Sequence, residues 1–276
     1  MLEIFLICLA FGCFSGILAG LFGVGGGLVI VPFMLVLLEA QAVTSDLAML
    51  IAVATSLATI IMTSIAATLT HHYLGSVIWP TVRNLSMGIV MGVMVGAWLA
   101  DSISAESLRL VFALYMLLVA IQMGIKSTRP RDPFAAASFA VPFKTIEHST
   151  LKVSGVGIGV LSSLLGIGGG TLIVPFLSKF HIPMRYTVAI SSACGLPLAV
   201  IGTLSYAVLG WGKTGLPEGC IGYVYLPAFL GIVLSSMVMA PIGAKLAHKL
   251  PTVILRRYFS MLLFLIAAKL LWAVFV

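Results

Sequence analysis

Long apolar stretches dominate the chain and are interrupted by short clusters of glycine, proline and charged residues. Ten stretches predict helices, and most approach the roughly 20 residues that cross a hydrocarbon layer about 30 Å thick. The segments are roughly 4–22, 27–39, 47–70, 77–100, 106–125, 152–166, 170–180, 186–209, 222–246 and 254–275. The second and seventh are too short to cross comfortably. The pattern predicts an all-α polytopic membrane protein with about 8–10 helical segments, including two short broken or hairpin helices.

A twelve-residue stretch that leads into each short segment occurs twice in the chain. Residues 22–33 are FGVGGGLVIVPF and residues 165–176 are LGIGGGTLIVPF, with eight of twelve positions identical and a spacing of 143 residues. Glycine triplets followed by proline interrupt a membrane helix. Two such breaks, one in each half, are typical of transporters whose binding site lies between discontinuous helices near the bilayer midplane.

Composition agrees with a membrane protein. Hydrophobic residues make up 61% of the chain and charged residues only 8%, against about 25% charged residues in soluble domains. The net charge of +7 is scattered among short loops, so no nucleic-acid partner is expected. The four cysteines lack metal-ligand spacing and are interpreted as packing residues. Neither a metal site nor a cofactor is predicted.

The placement of basic residues predicts the orientation. With the N-terminus outside, 12 of the 15 Lys and Arg residues fall on the cytoplasmic side, as the positive-inside rule favours. The opposite orientation leaves 3 of 15 inside. Both termini are therefore expected outside a cell inner membrane that the chain crosses several times. The first half starts outside and the second inside, which predicts two inverted repeats: residues 1–125 and 151–276, joined by a cytoplasmic linker, 126–150.

The glycine breaks are the main candidate site. Backbone groups in hydrocarbon must be satisfied within the protein or by a wet cavity, and the first N–H groups of each short helix carry the positive end of its dipole. Glycine lets a ligand approach them closely, so the breaks predict an anion site. Its candidate residues are Gly25, Gly26, Gly27, Pro32, Gly168, Gly169, Gly170, Thr171 and Pro175. The alternative is that glycine only permits close helix packing, which we favour for the isolated Gly88, Gly92 and Gly96.

Two pairs of hydroxyl residues interrupt otherwise apolar helices. They are Thr55 with Ser56, and Ser191 with Ser192, at equivalent positions of the two halves. Their hydroxyls either donate to an anion or bond to their own helix or a neighbouring one, and the sequence leaves both alternatives open. His71 and His72 are interpreted as interfacial residues at a helix end and Cys194 as a packing residue, and the sequence does not tell whether they have a further role.

Several kinds of chemistry are not supported. No Asp or Glu falls in the middle of a predicted span, whereas cation carriers and proton pumps bury such residues. No P-loop or HExxH motif is present, and no nucleophile–base set lies in compatible positions. The chain is therefore not expected to be an enzyme, and no catalytic residue is predicted.

The paired G-x-G-G-G-x-x-x-x-P elements, each opening a half of the chain, resemble those of the TauE/SafE sulfite exporter family. Gly23, Gly25–Gly27 and Pro32 match the first signature, and Gly166, Gly168–Gly170 and Pro175 the second. The resemblance implies a permease for sulfur-containing anions such as sulfite, sulfoacetate or other organosulfonates.

Export is expected, because one charge gains about 2.3 kcal/mol per 100 mV of membrane potential. The expected partners are a small anionic substrate and the lipid bilayer; the sequence does not give the oligomeric state. Alternatives are a passive anion channel, a permease for a small carboxylate, or a membrane enzyme or accessory subunit without transport of its own.

Overall fold

The computed structural model describes residues 2–22, 26–127, 147–180, 182–249 and 252–275. Within these ranges the chain forms ten α-helices and one two-stranded hairpin, which confirms the predicted all-α class. In chain order the elements are α1 (Leu2–Phe22), α2 (Gly27–Ala40), α3 (Ser45–Tyr73), α4 (Trp79–Ser102), α5 (Ala105–Ser127), α6 (His148–Leu165), α7 (Gly170–Ser178), α8 (Met184–Leu209), β1 (Cys220–Ile221), β2 (Val224–Tyr225), α9 (Leu226–Lys249) and α10 (Thr252–Phe275). Most of the predicted linker, 128–146, lies outside the described residues.

Helix length separates the membrane-crossing elements from the short ones. Among the described residues, α3, α4, α5 and α8 are long and apolar enough to cross a membrane. Helix α2 has 14 residues and α7 has 9, which correspond to about 21 Å and about 14 Å at the α-helical rise. Both begin at the last glycine of a triplet, at the predicted residues 27 and 170, and neither matches a hydrocarbon layer about 30 Å thick.

The two halves of the chain interlock. The most extensive helix contacts, α1 with α9, α4 with α6, α5 with α10 and α3 with α8, all join one half to the other. The contacts are also equivalent when each helix of the first half is matched to the helix five places later. The α1–α9 contact then matches α4–α6, and the α2–α3 contact matches α7–α8. The α3–α8 and α5–α10 contacts each join two equivalent helices. The halves thus share one packing scheme, whereas their inversion across the membrane stays a prediction.

Isolated glycines bring the crossing helices together. A Cβ on Gly92 would collide with the Val156 carbonyl oxygen, and one on Gly159 with the Ile89 carbonyl oxygen, so α4 and α6 touch through their backbones. In the equivalent pair of helices, α1 and α9, a Cβ on Gly16 would lie 2.6 Å from the Ser236 Cα. Close approach through small residues is a usual way to pack membrane helices. The packing role predicted for the isolated glycines is confirmed.

The hairpin before α9 corrects one prediction. A helix was expected from residue 222, but α9 begins at Leu226 because Cys220 and Ile221 pair with Tyr225 and Val224. The turn between the strands contains Gly222 at φ +55°, a conformation that other residues rarely adopt. A Cβ on Gly222 would also collide with the Ala207 carbonyl at the end of α8. The hairpin is therefore tied to the preceding helix.

Candidate functional site

The two glycine breaks have different backbone conformations. In the first, Gly26 takes a left-handed conformation with φ +79° and caps α2; Gly25 lies outside the described residues. In the second, the left-handed residue is Gly166, with φ +63°, which ends α6, and Gly169 at φ −54° precedes α7. Only glycine adopts the left-handed region routinely, so each break depends on one such residue.

The structure brings the two breaks into direct contact. The Ser56 hydroxyl of α3 donates a buried 2.7 Å hydrogen bond to the Gly166 carbonyl oxygen. That same oxygen lies 2.7 Å from the position of a Cβ on Gly27. We call Gly27, Ser56 and Gly166 the junction. It joins the start of α2 to the end of α6, so the motifs meet inside the protein, as a shared site requires.

The hydroxyl pair of the first half is used structurally. Ser56 is bonded to the junction, and the Thr55 hydroxyl oxygen accepts a 3.0 Å hydrogen bond from the Tyr225 N–H of β2. Both side chains are fully buried. Of the two alternatives that the sequence left open, structural bonding describes what Thr55 and Ser56 do here.

The second break carries unpaired hydrogen-bond donors. In the first turn of α7, Leu172 and Ile173 donate to the Gly169 carbonyl oxygen at 3.2 and 2.7 Å. The N–H groups of Gly170 and Thr171 have no acceptor among the described residues. Pro175 also lacks the N–H that would bond the Thr171 carbonyl. The start of α7 thus presents free backbone donors at the positive end of a helix dipole.

Buried hydroxyls without partners occur on each of the three helices that meet at this break. Ser162 lies in the last turn of α6, Thr171 in the first turn of α7, and Ser191 in α8. Ser162 is 0% exposed and Ser191 is 3% exposed. The Tyr115 phenol of α5 lies close enough to the Thr171 hydroxyl to interact with it, although the geometry leaves both without a well-formed hydrogen bond. The four hydroxyls are called the hydroxyl cluster below.

The two breaks differ in accessibility. The first is buried from Gly26 through Pro32, and Gly168 and Gly169 of the second are buried as well. By contrast, Gly170, Thr171, Pro175 and Ser192 are partly exposed. A Cβ on Gly169 would lie 3.7 Å from the Ser191 carbonyl oxygen, so α8 borders this break directly. Among the candidate residues that the structure describes, the accessible ones therefore lie in the second half.

The charged groups stand at the ends of the helices. Arg109 is 8% exposed and binds Glu39 at 2.6 Å, and Lys213 lies 3.5 Å from Asp101. Tyr223 donates to Asp101 at 2.6 Å, and its pKa is raised by burial and by that carboxylate, so the phenol remains a donor. All five residues belong to loops or helix ends that the orientation prediction places outside.

At the opposite ends of the helices, polar residues assigned to the inside also contact one another. The Arg185 Nε donates to the Ser76 hydroxyl at 2.8 Å, and Asn84 lies 2.9 Å from a ring nitrogen of His148. These residues belong to ends expected inside. Groups assigned to one side thus meet each other, while the orientation itself stays a prediction. Among the described residues, no group of three or more His, Cys, Asp or Glu could hold a metal ion.

Sequence reasoning missed two members of the hydroxyl cluster. Ser162 and Ser163 form a polar pair just before the second break, the same signal that singled out Thr55 and Ser56. Tyr115 gives no such signal, because it is a single aromatic residue in an apolar helix. Only the packed structure places it against Thr171.

Comparisons with known proteins cover nearly the whole chain. The family model described as "Sulfite exporter TauE/SafE" matches residues 8–270. A "Probable membrane transporter protein" of Haemophilus influenzae is 36% identical over 97% of this chain and 98% of its own length. The "Probable membrane transporter protein YunE" of Bacillus subtilis is 24% identical over 97% of each. A "Sulfite exporter TauE/SafE family protein 5" of Arabidopsis thaliana is 33% identical over 31% of this chain and 19% of its own. No solved structure matches significantly.

Proposed function

The chain belongs to the sulfite exporter TauE/SafE family, and from this premise we propose that it moves a small sulfur-containing anion across the membrane. It is a multi-pass membrane transporter and not an enzyme. The proposed substrates are sulfite, sulfoacetate or other organosulfonates, and the proposed direction is export from the cytoplasm. The proposed mechanism is alternating access around a site between the two halves.

The observation that carries the proposal is the set of unpaired donors at the second break. The N–H groups of Gly170 and Thr171 point out of a helix start, where the dipole favours negative charge. Buried hydroxyls without acceptors border the same turn. A cation would meet the positive end of the helix, whereas an anion supplies the acceptors that these donors lack.

The absence of charge at the breaks suits a transporter that must release its ligand. Neutral donors bind an anion without the buried ion pair that a Lys or Arg would form. The membrane potential then contributes about 2.3 kcal/mol per charge for each 100 mV in the outward direction. No Asp or Glu occupies the middle of a predicted span to carry a coupled cation. These features support export over uptake.

Flux from reconstituted vesicles tests the proposal. The full chain is placed in vesicles loaded with sulfite or sulfoacetate, and efflux is followed with an inside-negative potential. In Gly169→Leu the side chain enters the space between Ile173 and the Ser191 carbonyl, so efflux should fall at least tenfold. Gly157→Leu is the control, because nothing lies within 4 Å of a Cβ there.

The outcomes separate the proposal from its rivals. Saturable efflux that is lost in Gly169→Leu and kept in Gly157→Leu supports a carrier with its site at the second break. Efflux that does not saturate, at rates above those of carriers, would indicate a passive channel. Preference for acetate over sulfoacetate would indicate a carboxylate permease. Equal efflux from correctly folded Gly169→Leu and wild type would refute the site.

A further inference from the structure

We propose that the anion site is asymmetric: the second break forms it together with Tyr115 and Ser162, while the hydroxyl pair of the first half holds the scaffold. The inference rests on the proposed function and assigns binding residues to its site. Tyr115 belongs to α5 of the first half, so the first half contributes a side chain to a site whose backbone comes from the second. Neither Tyr115 nor Ser162 belongs to a glycine motif.

The first argument compares the cluster with other buried hydroxyls in the same protein. Ser and Thr side chains inside helices commonly donate to a carbonyl three or four residues earlier. Thr59, Ser163 and Ser235 do so, at 2.7, 3.0 and 2.8 Å. Ser162 does not, although its neighbour Ser163 does. The unpaired state of the cluster is therefore not a general property of this helical core.

The second argument is energetic. A buried hydroxyl without a partner destabilises a protein, because it loses its hydrogen bonds to water and gains none in return. Among the described residues six hydroxyls are in this state. Ser162, Thr171 and Ser191 belong to the helices that meet at the second break, and Tyr115 lies beside Thr171. Buried hydroxyls require acceptors from the protein, from bound water or from a ligand. Four such groups close to one helix start that favours negative charge therefore support a bound anion as one source of these acceptors.

The remaining two unpaired hydroxyls, of Thr68 and Thr203, provide an internal comparison. Each lies within a continuous helix, twelve residues beyond one hydroxyl of the pair in its half: Thr68 beyond Ser56, and Thr203 beyond Ser191. That spacing corresponds to about 18 Å along the helix axis. Neither adjoins a chain break with free N–H groups. These two residues therefore serve as controls that share burial and chemistry with the cluster but not its location.

The third argument concerns the ligand. Two N–H groups and four hydroxyls amount to six neutral donors, and the helix segments at the second break (162–165, 170–173 and 189–193) contain no Lys or Arg. A carboxylate offers two oxygens, whereas a tetrahedral oxyanion head group offers at least three and can engage donors from several helices at once. The chemistry that fits is therefore an oxyanion of this tetrahedral type. A halide, with a single acceptor atom, uses the cluster less well.

The experiment measures affinity and unliganded stability on the same full-length variants. Transport KM for sulfoacetate is determined in vesicles, and melting temperatures are determined in detergent with and without sulfoacetate. The test variants are Tyr115→Phe and Ser162→Ala, and the controls are Thr68→Val and Thr203→Val. A hydrogen bond to a charged group lost from the site should raise KM about tenfold. The controls should leave KM within about twofold of wild type.

The melting temperature separates a binding role from a structural one. Because the cluster hydroxyls have no partners in the unliganded protein, Tyr115→Phe and Ser162→Ala should keep or raise the unliganded melting temperature. Their sulfoacetate-induced increase in melting temperature should shrink. Thr55→Val, which removes the acceptor of the Tyr225 N–H, should instead lower the unliganded value.

The results also separate this inference from the proposed function. If wild type transports sulfoacetate and both cluster variants keep its KM, the inference is wrong while the permease proposal stands. If the cluster variants lose unliganded stability as Thr55→Val does, the hydroxyls are structural and the inference is equally wrong. If wild type transports neither sulfite nor sulfoacetate, the proposed function fails and the inference fails with it.

Discussion

Adding one methyl group to the junction tests whether the contact between the two breaks holds the fold together. In Gly27→Ala, the new Cβ would lie 2.7 Å from the Gly166 carbonyl oxygen, 3.1 Å from the Ile167 Cα and 3.2 Å from the Ser56 hydroxyl oxygen. The first two atoms are backbone in a buried turn, so they cannot rotate away as a side chain would. The turn that ends α6 must shift.

The magnitude follows from what the shift disturbs. Overpacking a tight core position costs about 1–3 kcal/mol. Pulling the Gly166 carbonyl away from Ser56 removes a hydrogen bond with a net value of about 1 kcal/mol and leaves a buried acceptor unpaired. Replacing glycine in a helix by alanine returns about 0.5–1 kcal/mol. We therefore expect Gly27→Ala to destabilise the protein by about 2–4 kcal/mol, combining these opposing terms.

The measurement is the free energy of unfolding of the full chain in mixed micelles, with Gly157→Ala as the matched control. No atom lies within 4 Å of a Cβ on Gly157, so the control should equal or slightly exceed wild type. Ser56→Ala completes a double-mutant cycle with Gly27→Ala. The combined loss should be smaller than the sum, because both changes disturb the same hydrogen bond. If Gly27→Ala proved as stable as Gly157→Ala, the junction would not be a contact that stabilises the fold.

Three further predictions concern contacts between helices and loops. Gly92→Ala should lower the melting temperature more than Gly157→Ala, because its Cβ meets the backbone of α6; thermal unfolding checks this. Tyr223→Phe removes the 2.6 Å bond to Asp101 and should cost about 1.5–3 kcal/mol, the range for a bond to a charged group, measured by chemical unfolding. Ser76→Ala removes an acceptor of Arg185 and should cost under about 1 kcal/mol because the site is partly solvated; a larger loss in the same assay would contradict this.

Local sequence signals predicted the breaks and the short helices well. A glycine triplet stops one helix, and the residues after it restart another, so the starts of α2 at Gly27 and α7 at Gly170 follow from composition alone. Hydropathy predicted the long helices, because an apolar run long enough to cross a membrane can satisfy its backbone hydrogen bonds in few structures other than a helix. The residue types at these positions determine the outcome without help from distant parts of the chain.

Contacts between residues far apart in the chain could not be predicted from these local signals. Nothing in the sequence shows that Ser56 bonds to Gly166, 110 residues away. The hairpin before α9 was missed because two-residue strands leave almost no pattern. The hydroxyl of Tyr115 joins the cluster only through the packing of α5 near α7. Each of these features depends on where the helices cross, which a single chain without related sequences does not reveal.

The repeat also suggests a symmetry that the structure breaks. Thr55 and Ser191 occupy equivalent positions in the two halves, so the sequence gives them equal claims to bind a ligand. The Thr55 hydroxyl oxygen accepts a hydrogen bond from the Tyr225 N–H, whereas the Ser191 hydroxyl has no hydrogen-bond partner among the described residues. Tyr225 belongs to the hairpin, and no second hairpin stands before α4 in the described part of the chain. The insertion of a short hairpin in one half therefore changes the role of a residue in the other.

That asymmetry has a consequence for transport. A ligand shifts a conformational equilibrium only by its difference in affinity between the states. In the present conformation four of the six unpaired buried hydroxyls among the described residues belong to the hydroxyl cluster, while the Ser56 hydroxyl of the first half donates to the Gly166 carbonyl oxygen. In the proposed site, an anion bound to the hydroxyl cluster would stabilise the conformation that gathers these donors. Turning the Ser56 hydroxyl toward a ligand would require breaking its bond to the Gly166 carbonyl oxygen, whereas Ser191 has no such bond to break. That difference supports the proposed placement of the anion at the second break rather than at the first.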